Sequence, residues 1–355
     1  MNPFLCSLQN IQLQENMNGY ERIQAALSGK KPDKTPIMLH NFMMAAKEAG
    51  YTMEQYRNSP QIIAECFIRA IEKYQYDGVL VDIDTVTLAG ACGVEVDFPQ
   101  NEPARSHSGC LSSLKETEHL KPVDIQSYKY ANIWCEAVSL LKEYFKGEIY
   151  IRGNCDQAPF SLATMLRGVE NMMMDLCLED ENLIFALLDY CSEATTQFIR
   201  LMKEAGADMV SNGDSPAGPS MLSPKMYEKF ALPYEKKVCE YAHRLNMPYM
   251  LHICGNTDII LDQMITTGAD SLELDYKTNI HRAEELMRGK TVFSGNIDPS
   301  GVIALGTPDL VKEKTIELLE IFKDNPRFIL NAGCGIPPIT PSENISALIS
   351  AARKF

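Results

Sequence analysis

No two cysteines of the chain form a CxxC pair, and the 11 that are present follow no regular spacing. That excludes a small closed zinc module and a disulfide-stapled scaffold. No stretch approaches the 18 or more apolar residues of a membrane span, so no membrane role is expected. Positive charge is scarce: 33 Lys and Arg stand against 47 Asp and Glu, a net charge of −14. Phosphate binding needs clustered basic residues, so a nucleic-acid partner is excluded, whereas docking to a basic protein surface is not. The segment from Met1 to Gly19 has neither a basic start nor an apolar core. A cytoplasmic protein with reduced thiols is therefore expected. There is no internal repeat, low-complexity tract or long polar linker, which leaves residues 1–355 as a single domain.

What is present is an alternation. Met1 to Met17 reads as a polar arm, and Asn18 to Ser28 as a short amphipathic helix capped by Asn18 and stopped by Gly29. Eight short apolar runs follow, each with helical material after it: Thr35–Leu39, Gly78–Val81, Glu148–Ile151, Ala207–Val210, Tyr249–Leu251, Ser271–Leu274, Thr291–Ser294 and Phe328–Leu330. Helices are expected around Thr52–Tyr74, Tyr128–Phe145, Pro159–Ala205, Ser223–Asn246, Thr257–Thr267, Asp309–Phe322 and Ser342–Lys354, with Met172 to Met174 in a helix core. The polar stretch Gln100–Asp124 reads as an excursion over one face. Continuous apolar strands imply a parallel sheet covered on its faces. Eight in alternation with helices predict an α/β fold, a (β/α)8 TIM barrel with an N-terminal helical extension.

In such a barrel the active site lies where the strands end. The runs exit, in order, into His40, Asp84, Asn154, Asp214, His252, Asp275, Asn296 or Asp298, and Cys334. His252 and Cys254 are two apart in an extended segment and so face one side. Taken alone, that pair reads equally as a hydrogen-bonded histidine beside a packed cysteine. Cys334, 80 residues beyond Cys254, would join them only if the barrel brings the two strand ends together. Three such ligands with one open position are what a catalytic zinc requires, and Asp275, at the end of its run, is preferred over Glu273 as a displaceable fourth. A site with two thiolates suits binding an incoming thiol and presenting it as a nucleophile toward an electrophilic methyl or alkyl group.

From Tyr20 to Arg353 the chain resembles the uroporphyrinogen decarboxylase superfamily, through ERIQAALSGKKPDKTPI, DGVLVDIDTVTLAGACGVEVDFP, FSGNIDPSGVIALGTPD and FILNAGCGIPPITPSEN. The decarboxylase carries RQAGR after its first strand to grip substrate carboxylates. Here that place reads His40-Asn41-Phe42-Met43-Met44, and of the catalytic positions only Asp84 matches. The HxC…C pattern is similar instead to the zinc methyltransferase branch, the methylcobamide:coenzyme M methyltransferases. The resemblance implies zinc on His252, Cys254 and Cys334, and methyl transfer between a methylcorrinoid and a thiol or similar acceptor. His40, Asp84, Asn154 and Asp214 are then expected to be catalytic, and Asn212 and Asn296 to contact the co-substrate. The chain lacks the DxHxxG segment that binds a corrinoid, so a small corrinoid protein is the expected partner, and a homodimer is compatible with the family. Cobalamin-independent methionine synthase has a similar HxC…acid…C arrangement, its acid near Asp275. Three alternatives stay open: demethylation of a methoxylated or methylated substrate onto a corrinoid protein, a non-catalytic zinc-binding homologue, and uroporphyrinogen decarboxylation.

Overall fold

The computed structural model describes residues 16–355; the polar arm expected from Met1 lies almost entirely outside them. Eight parallel strands run in sequence order around one sheet: β1 (Met38–Leu39), β2 (Gly78–Val81), β3 (Tyr150–Gln157), β4 (Met209–Gly213), β5 (Tyr249–Ile253), β6 (Ser271–Leu274), β7 (Val292–Ile297) and β8 (Phe328–Ala332). A parallel bridge between Ile37 and Leu330 closes it into a barrel. Every edge of the barrel's eight strands is thereby paired, and their side chains alternate between the interior and the surrounding helices.

The outward positions, such as Val79, Val81, Ile151, Leu251, Leu272 and Leu330, are buried against the helices in one large core. The chain's lone tryptophan, Trp134, belongs to it, and its indole N–H donates to the carbonyl of Val81 at 2.8 Å. The inward positions at the N-terminal end of the barrel form a second, small core: Met38, Tyr150, Met209, Met250, Val292 and Ile329 close on Ile23 and Ala26 of helix α1 (Gly19–Leu27). The extension is therefore a plug. Asn18 and Glu21 form a reciprocal capping box that sets its start, as the Asn cap predicted. Gly78 is what lets α1 approach: a Cβ there would lie 2.6 Å from the Ile23 methyl.

Differences from the expected helices have local causes. A helix not expected from the sequence, α2 (Phe42–Glu48), precedes the segment Thr52–Tyr74, which itself breaks at Ser59; Ser59 caps a new helix with Pro60 in its first turn, giving α3 (Met53–Asn58) and α4 (Pro60–Tyr74). The Ser223–Asn246 helix contains a π-helical turn at Tyr227–Ala231, next to Pro233, which has no N–H to continue the α ladder. Thr257–Thr267 is helical only at Leu261–Ile265, with turns on either side. The excursion from Gln100 to Asp124 is not wholly superficial, because Ala104, Leu111 and Leu114 are buried. Met172 is buried as expected, but Met174 is 54 % exposed.

Candidate metal centre

The barrel interior becomes polar toward the C-terminal ends of its strands. His252, inward on β5, directs its Nδ1 to the backbone carbonyl of Glu273 on β6 at 2.9 Å. That orients the ring and leaves Nε2 facing the mouth, 2.9 Å from the sulfur of Cys254. The Cys254 and Cys334 sulfurs are 3.6 Å apart. Thus strand ends 80 residues apart in sequence meet, and the three donor atoms lie within 4.8 Å of one another. Among the described residues this is the one group of three or more His, Cys, Asp and Glu side chains close enough to share a metal ion.

Electrostatics favours ligand-type protonation. Hydrogen bonding from the Cys334 thiol and the charge of His252 hold Cys254 down to about 3. Cys334 is pushed up by the Cys254 sulfur and by burial, so one proton is held between the two sulfurs. Burial alone would lower His252, but the adjacent Cys254 thiolate raises it to about 9. The trio is a thiolate–imidazolium set whose protons a cation would displace.

Beneath it lies a buried charge network that reading the strand ends alone does not reveal. The Glu273 carboxylate, 1 % exposed, forms an ion pair with Arg152 of β3. It also lies 3.8 Å from Nδ1 of His40. The Nε2 of His40 is bound to Asp82, just after β2, at 2.7 Å, and Arg152 Nε donates to Ser211 of β4 at 2.8 Å. Burial opposes charge on Glu273, but Arg152 and His40 outweigh it and hold the carboxyl well below its usual range. Burial likewise lowers His40, yet its bonds to Asp82 and Glu273 raise it to about 9. Each charge has a counter-charge, which is the condition for keeping ions in an apolar interior. The sequence signal for Asp82, Arg152 and Glu273 is parity: each stands at an inward position, Glu273 inside its apolar run and Asp82 and Arg152 just past theirs.

The remaining expected site residues separate. Asp84 is buried beside the mouth, where Oδ1 accepts from the Val86 amide at 2.9 Å and the Thr87 hydroxyl at 3.0 Å. Burial raises it to about 6. Asn154, half-buried on β3, lies at 3.5 Å from the Ser211 hydroxyl. Asn296 donates to the carbonyl of Asp275 at 3.2 Å. Asp275 stands apart from the trio's cluster, since its carboxylate accepts from the amides of Gly255 at 2.8 Å and Lys277 at 3.0 Å. Asn212 points outward and donates to the carbonyls of Cys155 and Gln157. Asp214 also turns away from the mouth, accepting from the amide and hydroxyl of Ser161 at 2.8 and 2.6 Å, with Glu235 behind it.

Residues 18–355 match the model of the family described as uroporphyrinogen decarboxylase (URO-D). The chain is 30 % identical over 283 residues to a methylcobamide:CoM methyltransferase MtbA of Methanosarcina acetivorans, covering 79 % of this chain and 80 % of that protein. It is 27 % identical to a uroporphyrinogen decarboxylase of Prochlorococcus marinus, covering 94 % and 97 %. Among solved structures, a methyltransferase from Methanosarcina mazei superposes with a TM-score of 0.87 at 26 % identity, over 96 % of this chain and 99 % of that one. A B12-independent methionine synthase from a Shewanella species shares the fold, with a TM-score of 0.60 at 11 % identity, over 90 % and 98 %.

Proposed function

The chain belongs to the uroporphyrinogen decarboxylase family, and from that premise we propose that it is a zinc-dependent enzyme transferring a methyl group between a corrinoid and a thiol. The observation that carries this reading is the convergence of His252, Cys254 and Cys334 at one point of the barrel mouth. Two sulfurs and an imidazole nitrogen suit zinc and leave one position for an acceptor. When bound, zinc would lower the proton affinity of a thiol and present its sulfur as a nucleophile. The similarity to a methylcobamide:CoM methyltransferase supports a corrinoid as the methyl carrier.

The chain's own residues supply the rest. The Glu273 carbonyl orients His252, and Arg152 and His40 neutralise the Glu273 carboxylate beneath it. Asp84, raised to about 6 by burial, is suited to take the proton that an acceptor thiol gives up near neutral pH. Asp275 would reach a fourth position only by releasing the Gly255 or Lys277 amide, which favours water there. Asn154 and Asn296 are assigned to orient the acceptor and the co-substrate, while Asn212 and Asp214, turned away from the mouth, are assigned to holding its wall. A separate corrinoid-carrying protein would cover the mouth. Exposed Met221, Ile259, Tyr276, Leu305 and Ile339 on the segments after β4, β5, β6, β7 and β8 support such docking. Decarboxylation of a polycarboxylate has less support, since Asn41, Phe42, Met43 and Met44 after β1 include no arginine.

The test is metal analysis followed by demethylation of methylcobalamin across a series of thiols. Wild-type protein is expected to hold about one zinc per chain and to demethylate the corrinoid. Cys334→Ser is expected to lose most of the metal and the activity together. Wild-type protein that stays below about 0.2 zinc per chain after reconstitution would sink the reading.

A further inference from the structure

The strand β3 does not leave the barrel regularly. Asn154 is in register with Ser211 of β4, but Gln157, and not Asp156, is in register with Gly213, so one residue is extra. Asp156 absorbs it with a φ of +59°, in the left-handed region that residues other than glycine seldom enter. Asn212 holds both of its neighbours, donating to the carbonyls of Cys155 at 2.7 Å and Gln157 at 3.2 Å. A bulge of this kind re-aims a side chain.

Asp156 is aimed at the loop after β2. It is 2 % exposed, and its Oδ2 accepts from the amide of Leu88 at 2.7 Å, in the first turn of α5 (Thr87–Ala91). Gln157 adds a second tie, donating to the carbonyl of Thr85 at 3.1 Å. Between these ties stand Val86 and Thr87, the two residues that donate to Asp84. The bulge thus grips both ends of the turn on which the Asp84 carboxylate rests.

The other oxygen of Asp156 is buried without a partner. Burial and the charges of Asp84 and Asp82 push Asp156 well above the carboxylate range, which makes it the neutral acid beside Asp84. The remaining groups that face Asp84 are Arg57 of α3, and Tyr128 and Tyr130 at the start of α6 (Lys129–Phe145).

We propose that Asp156 is a positioning residue for Asp84: held in its left-handed bulge by Asn212, it fixes the start of α5 and with it the two donors that orient the Asp84 carboxylate. The role of Asp84 as proton acceptor rests on the methyl-transfer reading, whereas its positioning does not.

Zinc-loaded protein labelled isotopically at the aspartate carboxyl carbons would be titrated by NMR, the Asp84 signal being the one that Asp84→Asn removes. The wild-type signal is expected to titrate at about pH 6. Asp156→Gly suits the left-handed backbone but removes the acceptor for Leu88. Weaker donation from Val86 and Thr87 then stabilises the carboxylate less, and the midpoint is expected to rise by about 0.5 pH units or more. Asp156→Asn keeps an acceptor and tolerates the same backbone, so its midpoint is expected within ~0.2 of wild type. The acid limb of the kcat/KM profile for methylcobalamin demethylation is expected to move in parallel.

An unchanged midpoint in Asp156→Gly overturns the proposal. So does a lowered midpoint in Asp156→Asn, which would mean that Asp156 acts through its charge. Asn212→Ala frees the bulge without touching Asp156. It is expected to raise the midpoint too, and it decides the matter if Asp156→Gly does not fold. The titration needs no turnover, so a wild-type protein that transfers no methyl sinks the reading of the reaction and leaves the positioning role to be judged on the midpoints.

Discussion

A carboxylate's surroundings decide what an acidic strand-end residue does, and Asp214 shows it. It looked like a rim acid, but its side chain lies at an outward position, fully buried with Glu235, and each has one oxygen without a partner. Burial pushes Asp214 up to about 6, and burial with the charge of Asp214 pushes Glu235 well above its ordinary value. A folded-state value raised above the unfolded one means the folded protein holds the proton more tightly. The associated stability is complete below about pH 4 and is lost as pH rises through about 6. Asp214→Asn keeps an acceptor for Ser161 and removes one buried charge. Urea unfolding should show it more stable than wild type by about 1–3 kcal/mol at pH 8, with the gain shrinking as pH falls and vanishing below about pH 4. A gain of equal size at both values would refute the assignment.

At the scale of elements, α1 bears on the barrel more than its nine residues suggest. Its Ile23 is fully buried, packs over Gly78 and shares a core with inward residues of six strands, so the plug couples to almost the whole sheet. Ile23→Ala should cost about 2–5 kcal/mol of stability, measured by denaturant unfolding. Activity per folded molecule should stay near wild type, because the plug closes the end opposite the trio. The helix was legible from Asn18, Glu21 and the apolar spacing. Its seat was not, because amphipathicity says that a face is buried and not what it is buried against. The same limit explains the break at Ser59 and the π-helical turn near Pro233, where a local backbone requirement overrode a continuous apolar stripe.

For the whole molecule, the candidate metal centre sits on a scaffold that is complete without an ion. The two cores account for the barrel's closure, and the trio adds only residues at strand ends. Removing metal with a chelator should therefore abolish methyl transfer while leaving far-ultraviolet circular dichroism unchanged and cooperative unfolding intact. A protein that unfolds on chelation, as small zinc modules do, would place the ion in a structural role instead.

The alternation of apolar runs and helices was enough to determine the barrel, because strand parity and run length are local properties that burial on both faces enforces. It also determined which residue types stand at the mouth, including His252, Cys254 and Cys334. Only the tertiary structure decided which of them meet. Closure between Ile37 and Leu330 brings Cys334 to Cys254, while strand alternation turns Asn212 and Asp214 outward and loop amides hold Asp275. The pairing of Glu273 with Arg152 spans 121 residues. Such a contact follows from the barrel's circular geometry, which no local pattern of residues encodes.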